Sequence, residues 1–162
     1  SNLFKLSISH TTRKPRGQEK EGVHYFFVTE EKFKAMISQG EFLEYAHVYK
    51  KDWYGTSKKF VDDTLNQGSN VLFDIDVQGA SNLKKVFHKR CVTIFIHPPS
   101  FEELERRLRN RKTDTAKAIE TRLKTARQEI KKAPSFDYEV VNKDLEKTYN
   151  EIMQILKMEH CY

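Results

Sequence analysis

The sequence is short of the residues that build disulfide scaffolds, metal sites and membrane spans. Its 162 residues include two cysteines, Cys91 and Cys161, which form no CxxC pair. That count excludes a disulfide framework and favours a reducing compartment, so a cytoplasmic location is expected. The six histidines fall in no HExxH or Cys/His spacing, and no protein-ligated structural metal is expected. No apolar run approaches the roughly 18 residues of a membrane span, and neither a signal peptide nor a membrane partner is expected. Four prolines and six glycines are too few for a low-complexity linker, and no repeat is visible. No GxxxxGK[ST] phosphate loop occurs. Gly17 and Gly22 have its outer spacing, but Val23 and His24 follow in place of lysine and serine or threonine. Glu19 and Glu21 would also repel a phosphate held there.

What is abundant is charge. Charged residues make up 32% of the chain and the net charge is +6, which favours an anionic partner. No RNA- or DNA-binding motif accompanies it, so no nucleic-acid partner is expected. The length suits one domain with a real core. A homo-oligomer is left open.

One basic segment organises the chain: Ser9-His10-Thr11-Thr12-Arg13-Lys14-Pro15-Arg16-Gly17. It follows an alternating strand pattern at Phe4, Leu6 and Ile8. Pro15 keeps Lys14 out of the helical region, so Arg13 and Arg16 project from an extended turn. Arginine grips phosphate bidentately, and the Tyr25 hydroxyl is a further donor. Solvation of a basic loop is the plainer reading of these residues taken alone.

Downstream, Thr29 is placed to cap a helix carrying Phe33, Met36 and Ile37, which Gly40 ends. Phe42 to Ala46 reads as a strand with the carboxylate Glu44 inside it, and Trp53 to Ser57 reads as a turn. Ser57 can cap a helix through Phe60, Val61, Thr64 and Leu65, closed by Gly68. Val71 to Asp76 reads as a strand buried on both faces, ending in Asp74 and Asp76. Acidic residues at the carboxyl end of such a strand commonly hold Mg²⁺ or its waters; equally, they cap turns. Cys91 to Ile96 and Tyr138 to Asn142 read as further core strands. Ser100-x-x-Glu103 is a capping box, and helices follow through Leu108, Ile130 and Leu156. The alternation argues for α/β architecture with a parallel sheet.

Nine motifs then stand in order: SxSxTTRxPRxxE at 7–19, GxxYxF at 22–27, GEFLEYA at 40–46, WYGTS at 53–57, LFDIDVQG at 72–79, IFIHPPS at 94–100, LERRLRNR at 104–111, IETRL at 119–123 and VVNKDLE at 140–146. Over nearly the whole chain the sequence resembles guanylate kinase, a nucleoside-monophosphate kinase. The resemblance implies a P-loop-kinase-like three-layer parallel sheet with a small mixed GMP-binding region and a helical lid. It divides residues 1–162 into a GMP-binding region at about 7–57, a core at 58–106 and 123–162, and a lid at 107–122. It implies transfer of the γ-phosphoryl of ATP to GMP, with Mg²⁺ accompanying ATP.

Residue by residue, the resemblance implies that Arg13, Arg16, Tyr25 and Tyr54 cradle the GMP phosphate. Glu44 is implied as the reader of guanine, with the Ser9 and Thr56 hydroxyls near the base edge. Asp76 is implied as a further GMP contact and Asp74 as an organiser of metal waters. Arg107, Arg111 and Arg122 would act on the transferring phosphoryl, and Asn142 would line the adenine pocket.

Two local departures are small: the segment from Glu44 to Tyr54 is about one residue longer than the family spacing, and Lys112 stands where glycine is usual. The larger departure is that the family's opening strand, P-loop and helix are not found in these 162 residues. The residues alone are therefore expected to bind GMP without transferring phosphoryl. The alternative reading is an inactive kinase-like module that binds GMP or a phosphorylated partner. Such modules tend to lose the lid arginines and the second acidic residue, all of which stand here.

Overall fold

A computed structural model describes residues 3–48, 51–110, 115–159 and 161. The chain divides into two compact units, Ser1–His88 and Lys89–Tyr162.

In the first unit the alternating start of the chain forms β1 (Phe4–Leu6), which runs parallel to β6 (Asn70–Leu72). A second, mixed sheet has the order β3-β2-β5-β4, with β2 at His10–Thr11, β3 at Phe26–Phe27, β4 at Phe42–Val48 and β5 at Asp52–Ser57. β5 is antiparallel to both β2 and β4, and β3 is parallel to β2. Three helices accompany these sheets: α1 (Glu30–Ser38), α2 (Lys58–Asn66) and α3 (Val77–Phe87). Thr29, Ser57 and Asp76 cap them, accepting from the backbone N–H of Lys32, Phe60 and Gly79. Gly40 and Gly68 end the first two with φ of 68° and 73°, the left-handed conformation that glycine adopts without strain.

The core of this unit is Phe33, Met36 and Phe42, flanked by Val28, Ile37 and Trp53. The Phe33 and Phe42 rings stack 4.5 Å apart. Burying one such ring is worth about 1.5–3 kcal/mol, so this cluster fixes α1 against the mixed sheet.

Two expectations are corrected here. Trp53 to Ser57 is not a turn but most of strand β5, paired residue for residue with β4 from Val48↔Asp52 to Glu44↔Thr56. Glycine and serine suggested a turn, but Gly55 serves packing. A Cβ on it would meet the Phe42 ring at 2.8 Å and the Phe33 ring at 2.9 Å. The second correction concerns Val71 to Asp76. Only Asn70–Leu72 is strand, and Leu72 is 49% exposed. Among the described residues β6 pairs with β1 alone, and its apolar side chains are not covered as in a central strand.

In the second unit β7 (Ile94–His97) and β8 (Tyr138–Val141) run parallel, in register from Ile94↔Tyr138 to His97↔Val141. Their start is clasped by Thr93 and Asp137: the Thr93 backbone N–H and hydroxyl both donate to Asp137 Oδ2, and the Asp137 N–H donates back to Thr93 Oγ1. The helices are α4 (Phe101–Asn110), α5 (Ala116–Ile130) and α6 (Leu145–Met158). Ser100 caps α4 by accepting from the Glu103 N–H at 3.1 Å, as the capping-box spacing anticipates. Leu108, Ile119, Ala133, Val140 and Ile155 are buried. Ile96 and Val141 are about half exposed, and because Ile96 stands beside Val140 they lie on opposite faces of the pair, so neither face is fully covered. The α/β class and the parallel pairing stand; among the described residues the parallel strands form two separate pairs, not one continuous sheet.

Candidate functional site

The basic turn after β2 is built inward, not outward. Arg13 is 8% exposed. Its Nε donates to the Tyr54 hydroxyl at 3.1 Å, and its Nη1 donates to the Lys14 carbonyl at 2.8 Å. Nη1 and Nη2 also hold the two Glu19 oxygens at 2.9 and 3.0 Å. Glu19 Oε2 accepts the Arg16 backbone N–H as well, at 2.7 Å, which closes the turn and sets Arg16 on its rim. Burial works against the Arg13 charge, but the hydrogen bonds with Glu19 and Tyr54 outweigh it and raise its pKa. The same bond to Arg13 holds the Glu19 carboxyl below its ordinary range, against partial burial.

Aromatic rings wall this pocket of charge. The Arg13 guanidinium lies 5.2 Å from the centroid of the Tyr25 ring, and the Tyr25 and Tyr54 rings meet edge to face at 5.9 Å. Burial raises the Tyr25 pKa, and the Tyr54 and Asp74 charges add to it. Tyr25 therefore keeps its proton as a donor. The structure brings Arg13, Tyr25 and Tyr54 together, with Asp74 in electrostatic reach.

Glu44 forms a second focus. It is 9% exposed, and the fully buried Thr56 donates its hydroxyl proton to Glu44 Oε1 at 2.7 Å. Burial raises the Glu44 pKa; the Thr56 bond opposes that and the Asp76 charge adds to it. Thr56 faces Glu44 directly in the β4–β5 register, and Tyr54 lies two residues back on β5. Alternation puts Tyr54 and Thr56 on one face of the strand, about 7 Å apart. One strand thus connects the arginine turn to the buried carboxylate. Asp76 spends one oxygen on capping α3, Oδ1 accepting from Gly79 N–H at 2.7 Å. Asp74 is exposed at the end of the β6 segment. The Ser9 carbonyl accepts from Phe26 N–H at 2.9 Å, which anchors the chain beside Tyr25.

In the second unit Arg107 and Asn142 are brought together. Arg107 Nε donates to Glu103 Oε1 at 2.7 Å, and Nη2 donates to the Asn142 backbone carbonyl at 3.1 Å. The two arginines Arg106 and Arg107 pull the Glu103 carboxyl down to about 2. Arg122 lies half-buried in the second turn of α5. Arg111, the remaining arginine of interest, and Lys112 lie outside the described residues. Among the described residues no group of three or more His, Cys, Asp or Glu is disposed to hold a metal ion, and no helix is long and apolar enough to cross a membrane.

Glu19 is the member of this site whose role sequence reasoning missed. It stands as a phosphate-repelling acid in the linear pattern, yet it is the partner that orders Arg13 and Arg16. Six residues from Arg13, it would stand about 20 Å away along a strand and off the arginine's face on a helix, so only the turn itself reveals the pairing.

A family model described as guanylate kinase matches residues 1–159. Guanylate kinase of Rickettsia prowazekii is 48% identical over 160 residues, covering 99% of this chain and 80% of that protein. Guanylate kinase of Bacteroides thetaiotaomicron is 49% identical over 152 residues, covering 94% and 74%. The crystal structure of guanylate kinase from Anaplasma phagocytophilum superimposes with a TM-score of 0.83 at 39% identity, covering 98% of this chain and 77% of that one.

Proposed function

This chain belongs to the guanylate kinase family, and from that premise we propose that it transfers the γ-phosphoryl group of ATP to GMP, giving ADP and GDP. A GMP phosphate oxygen forms the new P–O bond as the bond to the ADP oxygen breaks. Such a transfer needs positioning and positive charge more than covalent chemistry from the protein.

The observation that carries the proposal is the buried Glu44 carboxylate. Guanine presents two adjacent N–H donors, at N1 and N2, and a carboxylate accepts both; adenine lacks that pair. Thr56 fixes Glu44 by spending its proton on Oε1, which supports a carboxylate held ready for a ligand. Ser9 and Asp76 are assigned to the same nucleotide. Arg13, Arg16, Tyr25 and Tyr54 are assigned to the phosphate. Arg13 occupies the Tyr54 oxygen as acceptor, so the Tyr54 proton is left to donate outward.

Arg107, Arg111 and Arg122 are assigned to the charge that develops on the transferring phosphoryl, and Asn142 to the adenine base. Asp74, exposed and acidic, suits the waters of a Mg²⁺ ion accompanying ATP; when bound, that ion neutralises phosphate charge. A count of only two cysteines, with no CxxC pair, supports a cytoplasmic setting.

GMP-dependent ADP release by the encoded protein, absent with AMP, is the expected result of a coupled assay. Calorimetric titration of residues 1–162 with GMP tests the binding half by itself. No GMP-dependent turnover by the encoded protein would overturn the kinase assignment and leave the binding-module reading.

A further inference from the structure

Gly79 occupies the first turn of α3, where alanine is the better helix former by up to about 1 kcal/mol. It is buried, and no left-handed φ requires glycine there. Its backbone N–H capped by Asp76 is a bond that any residue but proline could make. Neither the helix nor the cap therefore accounts for glycine.

The space beside it does. A Cβ at this position would lie 3.2 Å from Oε2 of Glu44, 3.4 Å from Oδ1 of Asp76 and 3.4 Å from Cβ of Ile75. Three neighbours would close on one methyl group, and the nearest is the carboxylate oxygen that Thr56 leaves unused. Glu44 has little room to yield. Its Oε1 is tied at 2.7 Å to Thr56, which is 0% exposed and sits in register on the adjacent strand.

We propose that Gly79 is a specificity-determining position for the guanine base, its missing side chain keeping Oε2 of Glu44 accessible to a ligand N–H. This rests on Glu44 as the guanine reader. Reading two N–H groups takes both carboxylate oxygens. Oε1 serves Thr56 and has a second lone pair; Oε2 has to remain approachable. A methyl group at Gly79 crowds that approach and strips water from the same oxygen. It leaves Arg13, Tyr25 and Tyr54, the phosphate end, untouched. Gly79 acts through Glu44 and is a positioning residue.

The test is a double-mutant cycle on GMP binding, by calorimetry with melting temperatures alongside. Gly79→Ala is expected to weaken GMP about tenfold, the size of one lost hydrogen bond to a charged group, with the melting temperature unchanged or raised. Glu44→Gln weakens GMP too, and Gly79→Ala added to it costs less than a further factor of about two, as coupled neighbours require. Parent-like GMP binding by Gly79→Ala overturns the proposal. So does an equal loss in both backgrounds, since the methyl would then act on something other than Glu44. Parent-like binding by Glu44→Gln alone identifies the guanine-reader assignment as the failure, and this inference falls with it. Should Gly79→Ala melt well below the parent, the same change must cost less melting temperature in a Glu44→Asp background, where the shorter side chain withdraws the crowded oxygen; an equal cost in both backgrounds overturns the proposal.

Discussion

Arg13 and Glu19 face each other fork to fork, Nη1 to Oε2 at 2.9 Å and Nη2 to Oε1 at 3.0 Å. With Nε on Tyr54 and Nη1 also on the Lys14 carbonyl, four of the five Arg13 N–H donors are used within the protein. The arginine is thus a fixed part of the wall that presents its last donor and the Tyr54 proton in set directions. Its charge is balanced at short range by Glu19, so Arg13 contributes directed donors more than net charge.

Replacing Glu19 should therefore cost both stability and phosphate binding. Glu19→Gln leaves a buried guanidinium short of its partner, and a loss of about 1.5–3 kcal/mol is expected in urea unfolding. GMP should bind more weakly while guanosine, which has no phosphate, is unaffected. The Glu19 pKa is held below the ordinary 4.5. Its contribution is thus complete above that pH and lost as pH falls through the folded value. The parent's acid unfolding should show that loss, and Glu19→Gln should not.

Acid should also act on guanine recognition, through Glu44. Burial raises its pKa above 4.5, so it takes up a proton at a higher pH than an exposed glutamate. Protonated, it offers one fewer acceptor to the base. GMP affinity measured down a pH series should fall before ordinary glutamates titrate. Glu44→Gln should lack that component, leaving only the titration of the phosphate and other groups.

Gly55→Ala should be among the costlier single-methyl changes in the first unit. Its Cβ would overlap the rings of Phe42 and Phe33 at 2.8 and 2.9 Å. Overpacking of this kind costs about 1–3 kcal/mol. The displaced strand carries Tyr54 and Thr56 on either side of the glycine, so GMP affinity should drop as well. Equilibrium unfolding and GMP titration read the two effects separately.

His10 predicts a dependence at milder pH. Its ring stacks on Phe26 at 4.8 Å and meets Phe42 edge-on at 5.6 Å, with Nδ1 buried and unpartnered among the described residues. Burial, aided by the Lys32 charge and opposed by Glu41 and Glu21, lowers its pKa below 6.5. Below pH 6.5 the unfolded chain takes up a proton that the folded chain refuses. Stability should decline from there until the folded pKa is reached, and His10→Phe should flatten that limb.

Much of this was legible in the linear pattern because local rules decide it. Thr29, Ser57 and Ser100 cap helices where side-chain chemistry says they should, and Gly40 and Gly68 end them. Arg13, Tyr25 and Tyr54, singled out from separate motifs, lie side by side. What was not legible depends on contacts remote in sequence. Gly55 looks like a turn residue until Phe33 and Phe42 press on it. Glu19 looks repulsive until the turn folds it onto Arg13. Leu72 and Ile96 look like fully buried strand residues, since a side chain records its own hydrophobicity and not how many neighbours its strand finds.

Arg107 binds Glu103 on its own helix and the carbonyl of Asn142 just past β8, while Asn142 N–H reaches back to the His97 carbonyl at the end of β7. These links form a hinge pin through the second unit. A tilt of helix α4 at Arg107 would have to break its bond to the Asn142 carbonyl or carry the end of β8 with it.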